Sequence, residues 1–336
     1  MRAALVPALL LAACGGPSSL PAAPVPAPPV SPTGPIFTAP TNPWNVPVDG
    51  APLSPDSASI LAALQKAGGW GGSGKLQIDF SLTVLSAPAG TPAVPFQEKS
   101  GYYTPDCDHL ATFPLPPGGA LEGEAGYACT GGGDCHLLVV DAAARLLYEA
   151  WSADVVGGKV TAMCAVVWHL DRAYPADLRG EQCTSADAAG LPISALTFDA
   201  DEVAAGHIDH AIRFILPNAR MAAGVYVHPA THAGGPSGAA GLPPYGTRLR
   251  LRADYPLASL PAAARVVAAA MQRYGMVLSD GGNIALTAAD DRFTTHTWAA
   301  LGIDSHALGA LAVSDFEVVA TAPAIASTQD CVRNGQ

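Results

Sequence analysis

Apolar and polar positions along the chain alternate in two ways, predicting many short strands and two helices. Over 55–67, Ile60, Leu61 and Leu64 recur at helical spacing; Ser54 or Asp56 can cap this helix and Gly68-Gly69 ends it. A second helix is expected over about 260–274. Ser259 caps it, Pro261 sits in its first turn, Val266, Val267, Ala270, Met271 and Tyr274 form its apolar stripe, and Gly275 stops it. Elsewhere strands are expected between Gly/Pro turns. Residues 76–82 alternate with period two, and 136–141, 162–170 and 207–216 are short apolar runs. In 245–254, Arg248, Arg250 and Arg252 alternate with Leu249 and Leu251, which puts three guanidinium groups on one strand face. Further strands are expected at 276–278 and 316–319. The pattern predicts a mainly β fold, with α+β as the alternative: a disulfide-bonded β-sandwich or jelly-roll-like domain with one or two peripheral helices.

The N-terminus departs from this pattern. Arg2 precedes a short apolar run over 5–13, broken by Pro7, and Leu11-Ala12-Ala13-Cys14 matches the bacterial lipobox. Residues 1–14 therefore read as a lipoprotein signal peptide, with Cys14 as the lipidation site and membrane attachment through that lipid. Residues 15–35 are rich in Pro, Ala and Gly and read as a tether, leaving one globular domain over 36–336. The chain is placed outside the cytoplasm, periplasmic or at the cell surface.

Seven cysteines minus Cys14 leave Cys107, Cys129, Cys135, Cys164, Cys183 and Cys331. An even number in an exported chain predicts three disulfides. Cys129 and Cys135 flank a short Gly-rich loop and form the local pair. Cys164–Cys183 and Cys107–Cys331 follow by elimination. A metal site built from Cys129, Cys135 and His136 is the rival reading, without any Cys-x2-Cys spacing to support it.

Charge narrows the partners. Lys and Arg number 17 against 28 Asp and Glu, a formal net charge of −11. Such a balance opposes binding to nucleic acid, whose phosphates need a basic surface. There is no Gly-x-Ser-x-Gly elbow and no dinucleotide fingerprint. The stretch 69–75 imitates a phosphate-binding loop, but Leu76 stands where Ser or Thr must ligate Mg²⁺, so it reads as a flexible surface loop.

Three segments carry candidate chemistry. Asp187 sits among small residues over 183–193, where a ligand can approach the backbone; the alternative is a turn or helix cap. Asp199, Asp201 and Glu202 follow, so Asp187 and Glu202 are a candidate catalytic pair of the kind glycoside hydrolysis needs. The Asp-x-Asp cluster also suits structural Ca²⁺, although no EF-hand spacing is present and no cofactor is expected. His207, His210, His228 and His232 cluster within 26 residues. On a strand, His207 and Asp209 share a face that His210 does not, and Pro229 opposes the helix that a His-x3-His zinc site would use. His210 and His232 are expected at the active centre, with Arg213, Arg250 and Tyr226 holding substrate.

Asn42-Pro-Trp-Asn45, Leu121-Glu-Gly123, Asp134-Cys-His-Leu-Leu-Val-Val-Asp141, Leu147-Tyr-Glu149, Thr184-Ser-Ala-Asp-Ala-Ala-Gly-Leu-Pro-Ile193, His210-Ala-Ile-Arg-Phe214, Pro229-Ala-Thr-His232 and Ser314-Asp-Phe-Glu317 resemble a group of exported bacterial proteins. The resemblance spans nearly everything after the tether and implies one continuous domain, without a reaction. Asp187, His210, Arg213 and His232 match the group's pattern. Cys183 stands where the group often has Trp, and His207 where it often has Glu. The function expected is hydrolysis of glycosidic bonds in extracellular polysaccharide. A polysaccharide lyase, in which His232 or Tyr226 removes a proton, is the second enzyme reading. A non-catalytic glycan-binding or structural envelope lipoprotein is the third.

Overall fold

A computed structural model describes Met1, residues 30–32 and residues 34–335. Cys14 and most of the expected tether lie outside the described residues. Among the described residues the chain is mainly β, as expected, with three disulfides and no closed barrel. Its centre is a six-stranded mixed sheet in the order Ile78–Leu82, Leu286–Ala289, Ile212–Leu216, Met276–Gly281, Arg248–Leu251 and Phe316–Val318. Ile212–Leu216 is buried throughout, which explains its near-continuous apolar run: both faces are covered. Two four-stranded sheets accompany it. One runs Val84–Ser86, Leu137–Asp141, Leu146–Trp151, Cys164–His169; the other runs Thr112–Pro114, Ala93–Glu98, Lys159–Ala162, Asp154–Val156.

Both expected helices form, over Ser57–Lys66 and Ala262–Arg273. The second begins at Pro261 rather than being capped by Ser259, whose hydroxyl turns back to the Pro256 carbonyl in a 3-10 turn. Two short helices, Ala200–Ala205 and Trp298–Leu301, lack the length for an apolar stripe to reveal them. The expected strand over 207–216 starts only at Ile212, because Gly206 closes the short helix in a left-handed turn and His207 pairs with Asp209 at 3.0 Å before the sheet begins. The face argument for His207 and Asp209 therefore does not apply.

Cys129–Cys135 forms as expected, and His136 is committed to other partners, so the metal reading of these residues falls away. The other two pairs differ from elimination: they are Cys107–Cys164 and Cys183–Cys331. Backbone pairing explains the exchange. Asp108 N donates to Ala165 O, which lays Cys107 beside Cys164. The C-terminal pair Val332–Arg333 runs antiparallel to Gly180–Glu181 and brings Cys331 to Cys183.

The arginines of Arg248–Leu251 do not face solvent. All four residues of that strand are buried. Arg248 donates to the carbonyls of Pro43, Val46 and Tyr274, and Arg250 to those of Val48, Asp49 and Ala51 and to Glu317. They hold the segment 43–51 against the sheet, which removes Arg250 as a substrate ligand. Only Arg252 is exposed, paired with Asp254. The stretch 69–75 is also tied down. Trp70 is buried, and Arg220 Nη1 donates to the carbonyls of Gly68, Gly69, Trp70 and Gly71. Carbonyls turned toward a cation are the opposite of a phosphate cradle.

Candidate functional site

The central sheet aligns a polar row on one face. Asp79 lies opposite Thr287 in a parallel pair, and Phe214 opposite Leu286 places Arg213 beside Thr287. Arg213 is the hub. Its Nε and Nη2 donate to Asp187 Oδ1 at 3.1 and 3.0 Å, and Nη2 also reaches Asp280 Oδ2 at 2.7 Å. Burial opposes its charge, but Asp187 and Asp280 outweigh it and push the guanidinium pKa up.

The motif around Asp187 folds to satisfy that carboxylate. Oδ1 also accepts from Ser279 Oγ at 2.9 Å, and Oδ2 accepts the amides of Ala189 and Leu191. The turn needs Gly190: its φ is +82°, and a Cβ there would lie 2.1 Å from Thr231 Oγ1. The far end of the motif is held by Glu149, a fully buried carboxylate that accepts from Trp168 Nε1, both amides of Ile193 and Ser194, and Ser194 Oγ. Burial lifts Glu149 to about 7 despite these donors. Asp187 is likewise fully buried. It pairs with Arg213 from a position with no exposed surface.

Asp280 faces open space. Two adjoining cavities, of about 330 and 280 Å³, share Asp134 and Asp280 in their walls. The larger is also lined by Tyr103, Trp151, Ser185 and His232, the smaller by Asp79, Glu122, His136 and Arg213. Burial raises Asp280 to about 6, against the opposing pull of Arg213 and with a further push from Asp187. Asp79 is raised too, mainly by burial. Trp151 Nε1 donates to Asp134 at 3.1 Å, and Tyr103 meets the Trp151 ring edge-on at 5.8 Å. An aromatic wall beside carboxyl groups can seat a sugar ring and exchange protons with it.

His136 lies beneath the cleft. Nδ1 contacts Glu122 Oε2 at 2.6 Å and Nε2 contacts Ala186 O at 3.0 Å. A carboxylate and a carbonyl both accept, so the ring carries both protons. Burial opposes that charge, but Glu122 lifts His136 to about 9, and His136 holds Glu122 near 2 against its own burial. The raised His136 contributes stability that is full below its ordinary 6.5 and is lost as pH rises through about 9. The lowered Glu122 contributes stability that is present above 4.5 and is lost as pH falls toward 2. Thermal unfolding followed from pH 6 to 10 is therefore expected to show a falling Tm that His136→Gln flattens. An equal slope in the variant would refute the pair's role.

The other expected site residues lie elsewhere. Glu202 and Asp199 form a capping box on Ala200–Ala205, and His210 sits against Glu202. Burial and then Glu202 raise Asp199 to about 7. Asp187 and Glu202 therefore belong to separate networks. Asp201 accepts from the amides of Thr295 and His296 and from His296 Nδ1, which commits it to a turn. Tyr226 is buried and donates to Glu181. His232 does reach the cleft: its Nδ1 donates to Ala188 O at 2.8 Å, and the ring lines the larger cavity. Asp79, Glu122, Asp134 and Asp280 line these cavities without having been expected as site residues, and His136 joins them rather than a metal site. Asp280 had one signal, an acid at the end of an apolar strand before Gly281-Gly282.

Among the described residues no helix is long and apolar enough to cross a membrane, and the three disulfides fit an oxidising compartment. Comparison with family models, curated proteins and solved structures finds no match to this chain.

Proposed function

We propose that the chain is an exported lipoprotein, anchored at Cys14, that hydrolyses glycosidic bonds of an extracellular polysaccharide in the cleft around Asp280. The observation that carries this reading is a carboxyl raised to about 6 that shares its cleft with a second carboxyl, Asp134, beside Trp151. Glycoside hydrolysis needs one carboxylic acid to protonate the leaving oxygen and one carboxylate to activate water or attack. Asp280 is the acid and Asp134 its partner. Asp187 and Arg213 position Asp280, and His232 orients substrate.

The burial of Asp187 favours a second reading, a non-catalytic glycan-binding lipoprotein, because its hydrogen bonds are all internal. The lyase reading has less support. Arg213 is already paired with two carboxylates, and Tyr226 lines neither cavity of the cleft.

A product screen separates the three. The disulfide-bonded chain would be incubated with neutral and acidic polysaccharides, then assayed for reducing ends and ultraviolet absorbance. New reducing ends without absorbance support hydrolysis. Absorbance means unsaturated products and a lyase. Retained glycan binding without any product means a binding module.

A further inference from the structure

A third cavity, of about 460 Å³, shares no lining residue with the acidic cleft. It gathers three arginines, Arg172, Arg179 and Arg333, against one carboxylate, Asp108. Arg179 and Arg333 both donate to Asp108 Oδ1, at 2.7 and 2.8 Å. One negative charge between two guanidinium groups leaves positive charge in excess, and Arg172 adds to it. This runs against the chain as a whole, whose formal charge is −11.

The arginines are also short of acceptors. The Arg179 side chain is 6% exposed, yet its Nη1 has no hydrogen-bond partner among the described residues, and neither has Arg333 Nε. A buried charged donor without an acceptor is costly. Burial, and after it the charge of Arg333, lowers the Arg179 pKa in spite of Asp108. An anion in the cavity would relieve the repulsion among the guanidinium groups.

The frame around these groups is rigid. Arg333 sits on the C-terminal strand that Cys183–Cys331 ties to Gly180–Glu181. Asp108 follows Cys107, which is bonded to Cys164. Arg172 lies over the Tyr174 ring at 5.3 Å. Such a frame presents guanidinium groups already in place, as recognition of an oxyanion by Arg requires.

We propose that this cavity is an oxyanion-binding site, taking a carboxylate or sulfate group through Arg172, Arg179 and Arg333. The ligand is either a free inorganic anion or the acidic group of a glycan. The site does not depend on hydrolysis in the cleft, and its test reads binding alone.

The full disulfide-bonded chain would be titrated by calorimetry with sodium sulfate, with sodium glucuronate and with glucose as the neutral control. Sulfate, glucuronate or both are expected to bind, more weakly as ionic strength rises, while glucose does not bind. Binding of both supports a general oxyanion site, and binding of glucuronate alone an acidic-sugar site. Arg179→Lys is expected to weaken binding about tenfold, the scale of one lost charged hydrogen bond. Because Arg179 is buried, Arg172→Gln on the half-buried rim provides a variant that keeps the fold, checked by circular dichroism, and should also weaken binding. Failure of both anions to bind the native chain, or unchanged affinity in Arg172→Gln, would overturn the proposal.

Discussion

Arg213→Met is expected to lower unfolding free energy by about 3–5 kcal/mol, the usual cost of removing one partner from a buried ion pair. The magnitude follows from what stays behind. Asp187 has no exposed surface, and Arg213 provides two of the hydrogen bonds to its Oδ1. Methionine matches much of the volume, so the loss is electrostatic rather than a cavity effect. Asp187→Asn/Arg213→Met removes both charges together and should recover a large part of the loss. Urea unfolding of the native chain and both variants measures this directly. A loss under about 1 kcal/mol in Arg213→Met would show that Asp187 finds other compensation, and that the hub does not organise the cleft.

Asp280→Asn is expected to reduce kcat by about 10²–10⁴-fold on any polysaccharide that the chain cleaves, the span typical for loss of a general acid. A general acid must be protonated to act. Since burial holds Asp280 near 6, activity should fall as pH rises through that value. Asn cannot titrate, so residual activity in the variant should lose this alkaline limb. The side chain is 23% exposed, and Asn keeps its shape, so the fold should survive. Asp187→Asn tests the positioning role separately. It leaves Asp280 in the cleft but loosens Arg213, so the alkaline limb should move while turnover persists. Full activity in Asp280→Asn would remove Asp280 from the reaction.

Secondary structure was legible wherever local spacing decided it. Ser57–Lys66 and Ala262–Arg273 carry apolar stripes long enough to read, and Leu137–Asp141 and Met276–Gly281 carry compact apolar runs. The arginine strand misled because alternation implies one wet face, whereas segment 43–51 covers that face. Among candidate site residues, Arg213 and His232 line the two adjoining cavities, and Asp187 pairs with Arg213. Glu202 looked like a catalyst because it follows Asp187 closely in sequence, as one half of a carboxylate pair. Its spacing from Asp199 is instead that of a capping box, and the helix uses it so.

What the sequence determined by itself was the class of molecule: a mainly β chain with an even set of six cysteines after Cys14 and a strong acidic excess. These follow from composition and from periods of a few residues. Only the tertiary structure decided how the four cysteines other than Cys129 and Cys135 join, which arginines are buried, and which carboxyl faces a cavity. Asp280, Asp134, His136 and Arg213 come from distant segments, and no local pattern links them. Their protonation is set by burial and by neighbouring charge, which exist only once the layers close over them.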